Sequence, residues 1–98
     1  MSSTKEYKDY ILEQLSLLKK VTCKPMMGEY LLYYDGLLFG GIYDDRLLVK
    51  EVNNNKKYNM QEEIPYEGAK PMYLVNNIED QEELKSIVLD TCKDLSKK

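Results

Sequence analysis

Asp44 and Asp45 stand side by side near the middle of the chain and are the first residues to suggest chemistry. Paired carboxylates can share acid–base work in hydrolysis, and hard cations take oxygen ligands. Two adjacent aspartates also make a tight turn, and their side chains point apart unless the backbone is unusual. No calcium-loop pattern or second acidic cluster accompanies them, so a turn is the expectation. Gly40-Gly41 invites a phosphate-cradling reading, but neither nucleotide-binding glycine spacing is present. The pair lies inside a strand pattern, where a bulge or close packing explains it. The 98 residues contain no histidine, which removes the commonest general base and metal ligand. Cys23 and Cys92 are far apart and lack any CxxC spacing, so they read as two buried reduced thiols. These patterns lead to the expectation of no catalytic residue, no metal and no cofactor.

Nine tyrosines stand against one phenylalanine and no tryptophan. Tyrosine buries a ring while keeping a polar tip wet. Tyr30, Tyr33, Tyr34, Tyr43, Tyr66 and Tyr73 fall in strand-like runs, where they either line an interaction surface or form the half-buried edge of a sheet. A formal charge of -3 argues against a protein whose main task is neutralising phosphates. Lys19-Lys20-Lys24 and Lys56-Lys57 keep nucleic-acid binding open as the weaker alternative to a protein partner. The longest nearly apolar stretch, Leu37 to Tyr43, contains two glycines and is too short to span a bilayer. Cytoplasmic residence without a membrane partner is the expectation.

The elements that must position these residues begin with a helix over about Lys5 to Lys20. Tyr7, Ile11, Leu15 and Leu18 fall on one stripe, and Ser3 with Glu6 makes a capping-box pattern. From Met27 to Val52 the pattern changes to short strands. Asp35-Gly36 predicts a type I′ hairpin between Tyr30–Tyr34 and Leu37–Tyr43. A second turn at Asp44-Asp45 leads into Arg46–Val52, giving a three-stranded antiparallel meander. Alternation places Tyr30, Leu32 and Tyr34 on one face and Leu31 with Tyr33 on the other. Asn53–Met60 suits a loop with at most a short helical turn, and Pro65 confines the Glu62–Tyr66 segment to a sheet edge. Lys70–Val75 predicts a further strand. Asp80 caps a second helix carrying Leu84, Ile87, Val88, Thr91 and Leu95, with Lys93, Lys97 and Lys98 at its end matching the helix dipole. The fold class is α+β: one antiparallel sheet, a meander plus one or two further strands, flanked by amino- and carboxy-terminal helices in a single domain over residues 1–98.

Met26-Met27-Gly28-Glu29-Tyr30 through Gly40, then Ile42-Tyr43-Asp44-Asp45-Arg46-Leu47-Leu48-Val49-Lys50, resembles the signature of the TfoX (Sxy) amino-terminal domain family. Tyr66-Glu67-Gly68-Ala69-Lys70-Pro71-Met72-Tyr73 is similar to its second block. The resemblance implies an α-β(3)-α-β(2)-α order like that of secretion-chaperone-like folds, and a homodimer. It implies no catalytic residues, and makes Gly28, Gly36, Phe39, Lys50, Gly68, Lys70 and Pro71 fold-defining. TfoX-like regulators promote natural competence with the cyclic-AMP receptor protein and carry a second domain, so this chain looks like the amino-terminal module alone. The resemblance thus implies a non-enzymatic regulatory or adaptor module acting through protein contact.

Overall fold

A computed structural model describes residues 3–96. Helix α1 (Lys5–Gln14) leads into β1 (Val21–Met26), β2 (Glu29–Tyr34), β3 (Leu37–Ile42) and β4 (Leu47–Val49). A 3₁₀ segment (Asn53–Tyr58), β5 (Gln61–Glu63), β6 (Met72–Leu74) and α2 (Gln81–Leu95) complete the chain. The strands form one six-stranded antiparallel sheet in the order β1-β2-β3-β4-β6-β5. The α+β architecture is as the sequence implies, with a strand more than the meander-based reading counts.

Three two-residue turns build the meander. Met27-Gly28, Asp35-Gly36 and Asp44-Asp45 all have positive φ at both positions, the backbone a type I′ turn requires and the one whose twist matches its strands. The Asp35-Gly36 hairpin is the one legible in the sequence. The first turn adds β1, which the sequence reading missed because Lys24-Pro25 interrupts any strand pattern. Pro25 is tolerated there because β1 is an edge strand. Asp44 and Asp45 occupy left-handed backbone without glycine, at a cost of roughly 1 kcal/mol or more each. Hydrogen bonds offset it: the Asp44 N–H donates to Glu29 Oε1 (3.1 Å) and the Asp45 N–H to Ser3 Oγ (3.0 Å), while Asp45 Oδ1 accepts from the Thr4 N–H (2.8 Å).

That network also changes how α1 begins. Ser3 does not cap the helix, because its hydroxyl donates to Glu29 Oε1 (2.7 Å); Thr4 caps it, accepting from the Tyr7 N–H. The helix also ends at Gln14 rather than near Lys20. Leu15 and Leu18 are still buried, but through tight turns that let the chain reverse and bring Val21 opposite Tyr34. The carboxy-terminal helix starts as expected, with Asp80 accepting from the Glu83 N–H. Lys93 lies in its last turn; Lys97 and Lys98 lie outside the described residues.

Both helices cover the same face of the sheet. Ile11, Leu15 and Leu18 meet Leu84, Ile87, Val88 and Cys92 over Leu32, Phe39, Ile42, Leu47 and Val49. Between the sheet and α2 the asparagine-rich segment forms a clasp. Asn55 is fully buried; its Nδ2 donates to the Lys50 carbonyl (2.8 Å) and to Thr91 Oγ1 (2.9 Å), and its Oδ1 accepts from the Val52 N–H (3.2 Å). Asn54 donates through its backbone and side chain to Asp94 (2.9 and 2.6 Å), and the Tyr58 hydroxyl donates to Asp90 Oδ2 (2.6 Å). The short helical turn expected here is therefore present, and its polar side chains hold α2.

Candidate functional site

Among the described residues the other face of the sheet carries no helix. Strand periodicity puts Lys24 and Met26 of β1, Leu31 and Tyr33 of β2, and Leu38 and Gly41 of β3 on it, because their register partners share a side. Leu48 of β4 also faces this way, paired with Gly41 and Leu74. The only covering among the described residues is the loop from residue 64 to 71. Between loop and sheet lies a half-open groove of about 740 Å³, within the size range of pockets that bind ligands. Its wall includes Met26, Leu31, Leu38, Tyr43, Pro71 and Met72.

Arg46 holds the start of the loop. Its guanidinium donates to Glu63 Oε1 (3.3 Å) and to the carbonyls of Ile64 (3.2 Å) and Pro65 (3.4 Å), while Nε donates to the Tyr43 carbonyl (3.1 Å). Planar, multiply donating guanidinium suits this role better than an ammonium would. The loop then folds back on itself, the Ala69 N–H donating to the Tyr66 carbonyl (3.0 Å). Gly68 has φ +86 at that turn and open space around it, so backbone conformation rather than crowding demands glycine.

Gly40 and Gly41 decide how closely the groove's floor and lid approach. Leu32 pairs with Gly40 and Tyr33 with Leu38, leaving Phe39 as the extra residue of a β-bulge. A Cβ on Gly40 would stand 2.2 Å from the Leu48 carbonyl oxygen. One on Gly41 would stand 2.8 Å from the Tyr43 ring. Glycine at 41 thus lets the Tyr43 ring lie over the sheet, where it meets the Tyr66 ring at 6.0 Å. Both the bulge and the close packing expected for this pair are present.

The six tyrosines do not gather on one surface. Tyr30, Tyr34 and Tyr73 pack against the helix-covered core. Tyr43 and Tyr66 line the groove, and Tyr33 lies on the same open face beneath the Lys24 ammonium, 5.7 Å from the ring centre. Burial raises the Tyr43 hydroxyl above its ordinary pKa, so it stays a neutral donor. Among the residues the resemblance makes fold-defining, Gly28 and Gly36 sit in turns and Phe39 is fully buried. Lys50, Lys70 and Pro71, however, line the groove. Period-two alternation could have flagged Leu31 and Leu38, but nothing local showed that helices leave their face open.

The remaining chemical candidates are dispersed. Asp44 and Asp45 are exposed at their turn, Asp44 tied to Glu29 of β2 and Asp45 to the start of α1. Among the described residues no group of three or more cysteine, aspartate or glutamate side chains is placed to hold a metal. Cys92 is buried, and burial pushes its thiol up to about 11. Cys23 is half-buried rather than buried, since it lies on edge strand β1; burial, opposed by Lys8, raises its pKa as well. Neither thiol has the depressed pKa of a reactive nucleophile. Of the basic pairs, Lys20 is 3.8 Å from Asp35 and Lys57 3.1 Å from Asp90, so part of that charge is already neutralised. No helix among the described residues is long and apolar enough to cross a membrane.

Comparison with known proteins adds two findings. The sequence profile described as the TfoX N-terminal domain matches residues 13–93, a span running from the end of α1 through most of α2. An uncharacterized 12.7 kDa protein from the trpE 5′ region of Spirochaeta aurantia is 28% identical over 83 residues, covering 83% of this chain and 72% of that protein.

Proposed function

Because the chain belongs to the TfoX N-terminal domain family, we propose that it is a non-enzymatic regulatory or adaptor module that works by protein–protein contact through the open sheet face. The observation that carries this reading is the groove of about 740 Å³ between that face and the 64–71 loop, walled by apolar side chains. Aromatic and methionine side chains with a polar rim are the composition of protein-binding surfaces. The process we assign to it, following the family, is the regulation of transcription or competence. Cytoplasmic residence accords with that role.

Affinity capture from the native cell tests the reading. Tyr66 is 57% and Met26 37% exposed, so Tyr66→Ala with Met26→Ala trims the groove with little damage to the core. A partner captured by the wild-type chain and lost by the double variant, with the urea midpoint nearly unchanged, is the expected result. Equal capture by both proteins would remove the groove from the function.

A further inference from the structure

The groove's charge is opposite to that of the molecule. The chain carries a net -3, yet Lys50 and Lys70 both line the groove, and neither has an ion-pair partner among the described residues. Five other cations are engaged, Lys5 and Lys8 with Asp9, Lys20 with Asp35, Arg46 with Glu63 and Lys57 with Asp90; what sets Lys50 and Lys70 apart from the other unpaired lysines is their place in the groove wall. Leu48 pairs with Leu74 and Val49 with Tyr73; extending that register by one pair sets Lys50 opposite Met72, while Lys70 comes from the end of the covering loop. Both lysines thus line the β4–β6 end of an apolar groove. Glu51 is the acidic residue in the lining. Burial and the neighbouring Glu62 carboxyl raise the Glu51 carboxyl above its ordinary value, which weakens the negative charge it brings to the groove.

Resting on the protein-contact reading above, we propose that the groove binds a short extended acidic segment of a partner protein, with apolar side chains between its carboxylates. The apolar side chains rest on Met26, Leu31, Leu38 and Met72, and the carboxylates meet Lys50 and Lys70. A sheet floor matches the alternation of an extended segment. The volume admits only a few side chains, which makes the segment short. Charge complementarity selects an acidic partner and disfavours a basic one.

A labelled short peptide of alternating leucine and glutamate is the probe, compared with leucine–glutamine and leucine–lysine peptides of equal length and with octanoate. Backbone amide NMR shifts map the site. The leucine–glutamate peptide is expected to perturb Gly41, Lys50, Lys70 and Met72 and to bind about tenfold tighter than the leucine–glutamine peptide, as two exposed charge pairs allow. That margin shrinks with salt and disappears in Lys50→Gln with Lys70→Gln, whose spectrum also verifies its fold. Equal binding of all three peptides, or perturbation confined to the Lys5, Lys8 and Cys23 side, overturns the proposal. So does preferential saturation by octanoate, which would make the groove a small-anion site. Concentration-dependent protection of the groove amides without peptide would give it to a second copy of this chain and also overturn the acidic segment. If the lysine variant keeps the native partner while Tyr66→Ala with Met26→Ala loses it, the charge assignment fails and the adaptor reading stands.

Discussion

A single methyl group is a sensitive probe of this sheet, because three glycines serve three different needs. At Gly40 the added Cβ meets only backbone of the neighbouring strand, at 2.2 Å from an oxygen and 2.9 Å from a Cα, and strands cannot part without losing their ladder. At Gly41 the nearest side chain is the Tyr43 ring, which can swing away, although the Tyr30 carbonyl oxygen at 2.6 Å cannot. At Gly36 there is open space and only a left-handed backbone, with φ +84. Alanine should therefore cost at least about 3 kcal/mol at 40, about 2–3 at 41 and roughly 1–2 at 36. Urea unfolding of the three variants checks the order. The Gly41→Ala protein should further show altered tyrosine fluorescence, as the Tyr43 and Tyr66 rings are displaced together.

At the scale of elements, the asparagine clasp decides how α2 is attached. Asn55→Ala removes three hydrogen bonds, the one to Thr91 Oγ1 fully buried and those to the Lys50 carbonyl and the Val52 N–H partly so. A loss of about 2–4 kcal/mol is expected, measured by urea unfolding, with faster amide exchange in α2 than in β2. The same clasp sets an alkaline limit. Burial first, and then the Asp90 hydrogen bond, push the Tyr58 hydroxyl from 10.0 up to about 12. The raised folded pKa stabilises the protein fully below the unfolded value and is lost as pH rises through the folded one, so stability falls between pH 10 and about 12. Tyr58→Phe should flatten denaturation midpoints over that window. Asp90 works oppositely: the Tyr58 hydrogen bond, followed by Lys57, holds its carboxyl below the ordinary value of 3.8, so its contribution is lost in acid. Little of this clasp was legible in the chain. Asn53-Asn54-Asn55 has the local signature of a loop, and only the arrival of Thr91, Asp90 and Asp94 from a helix far along the sequence turns those amides into structure. The hairpin at Asp35-Gly36, by contrast, is encoded within four residues and could be read directly.

For the whole molecule, the decisive asymmetry is that one sheet face receives both helices and the other, among the described residues, a loop. Alternation shows which residues share a face, and it separated Leu32 from Leu31 correctly. It carries no information about which face the helices cover, so it set Tyr30 and Tyr34 apart from Tyr33 without showing that Tyr30, Tyr34 and Tyr73 are the ones that lie inward. The family resemblance located Lys50, Lys70 and Pro71 without their setting, since a groove wall comes from strands that meet only after folding. The three two-residue turns described above bear on the order in which all this forms. They join β1 through β4 by contacts near in sequence, whereas Gln14 reaches Ile78 across 64 residues. Closing short loops is faster than closing long ones, so the meander should serve as the folding nucleus. In pulse-labelled hydrogen exchange, amides of Leu32 and Gly41 should become protected before Val88. On a ribosome the same turns emerge ahead of the 64–71 loop, β6 and α2, so the β1 to β4 part of the groove's floor can zip together during synthesis before its lid has been made.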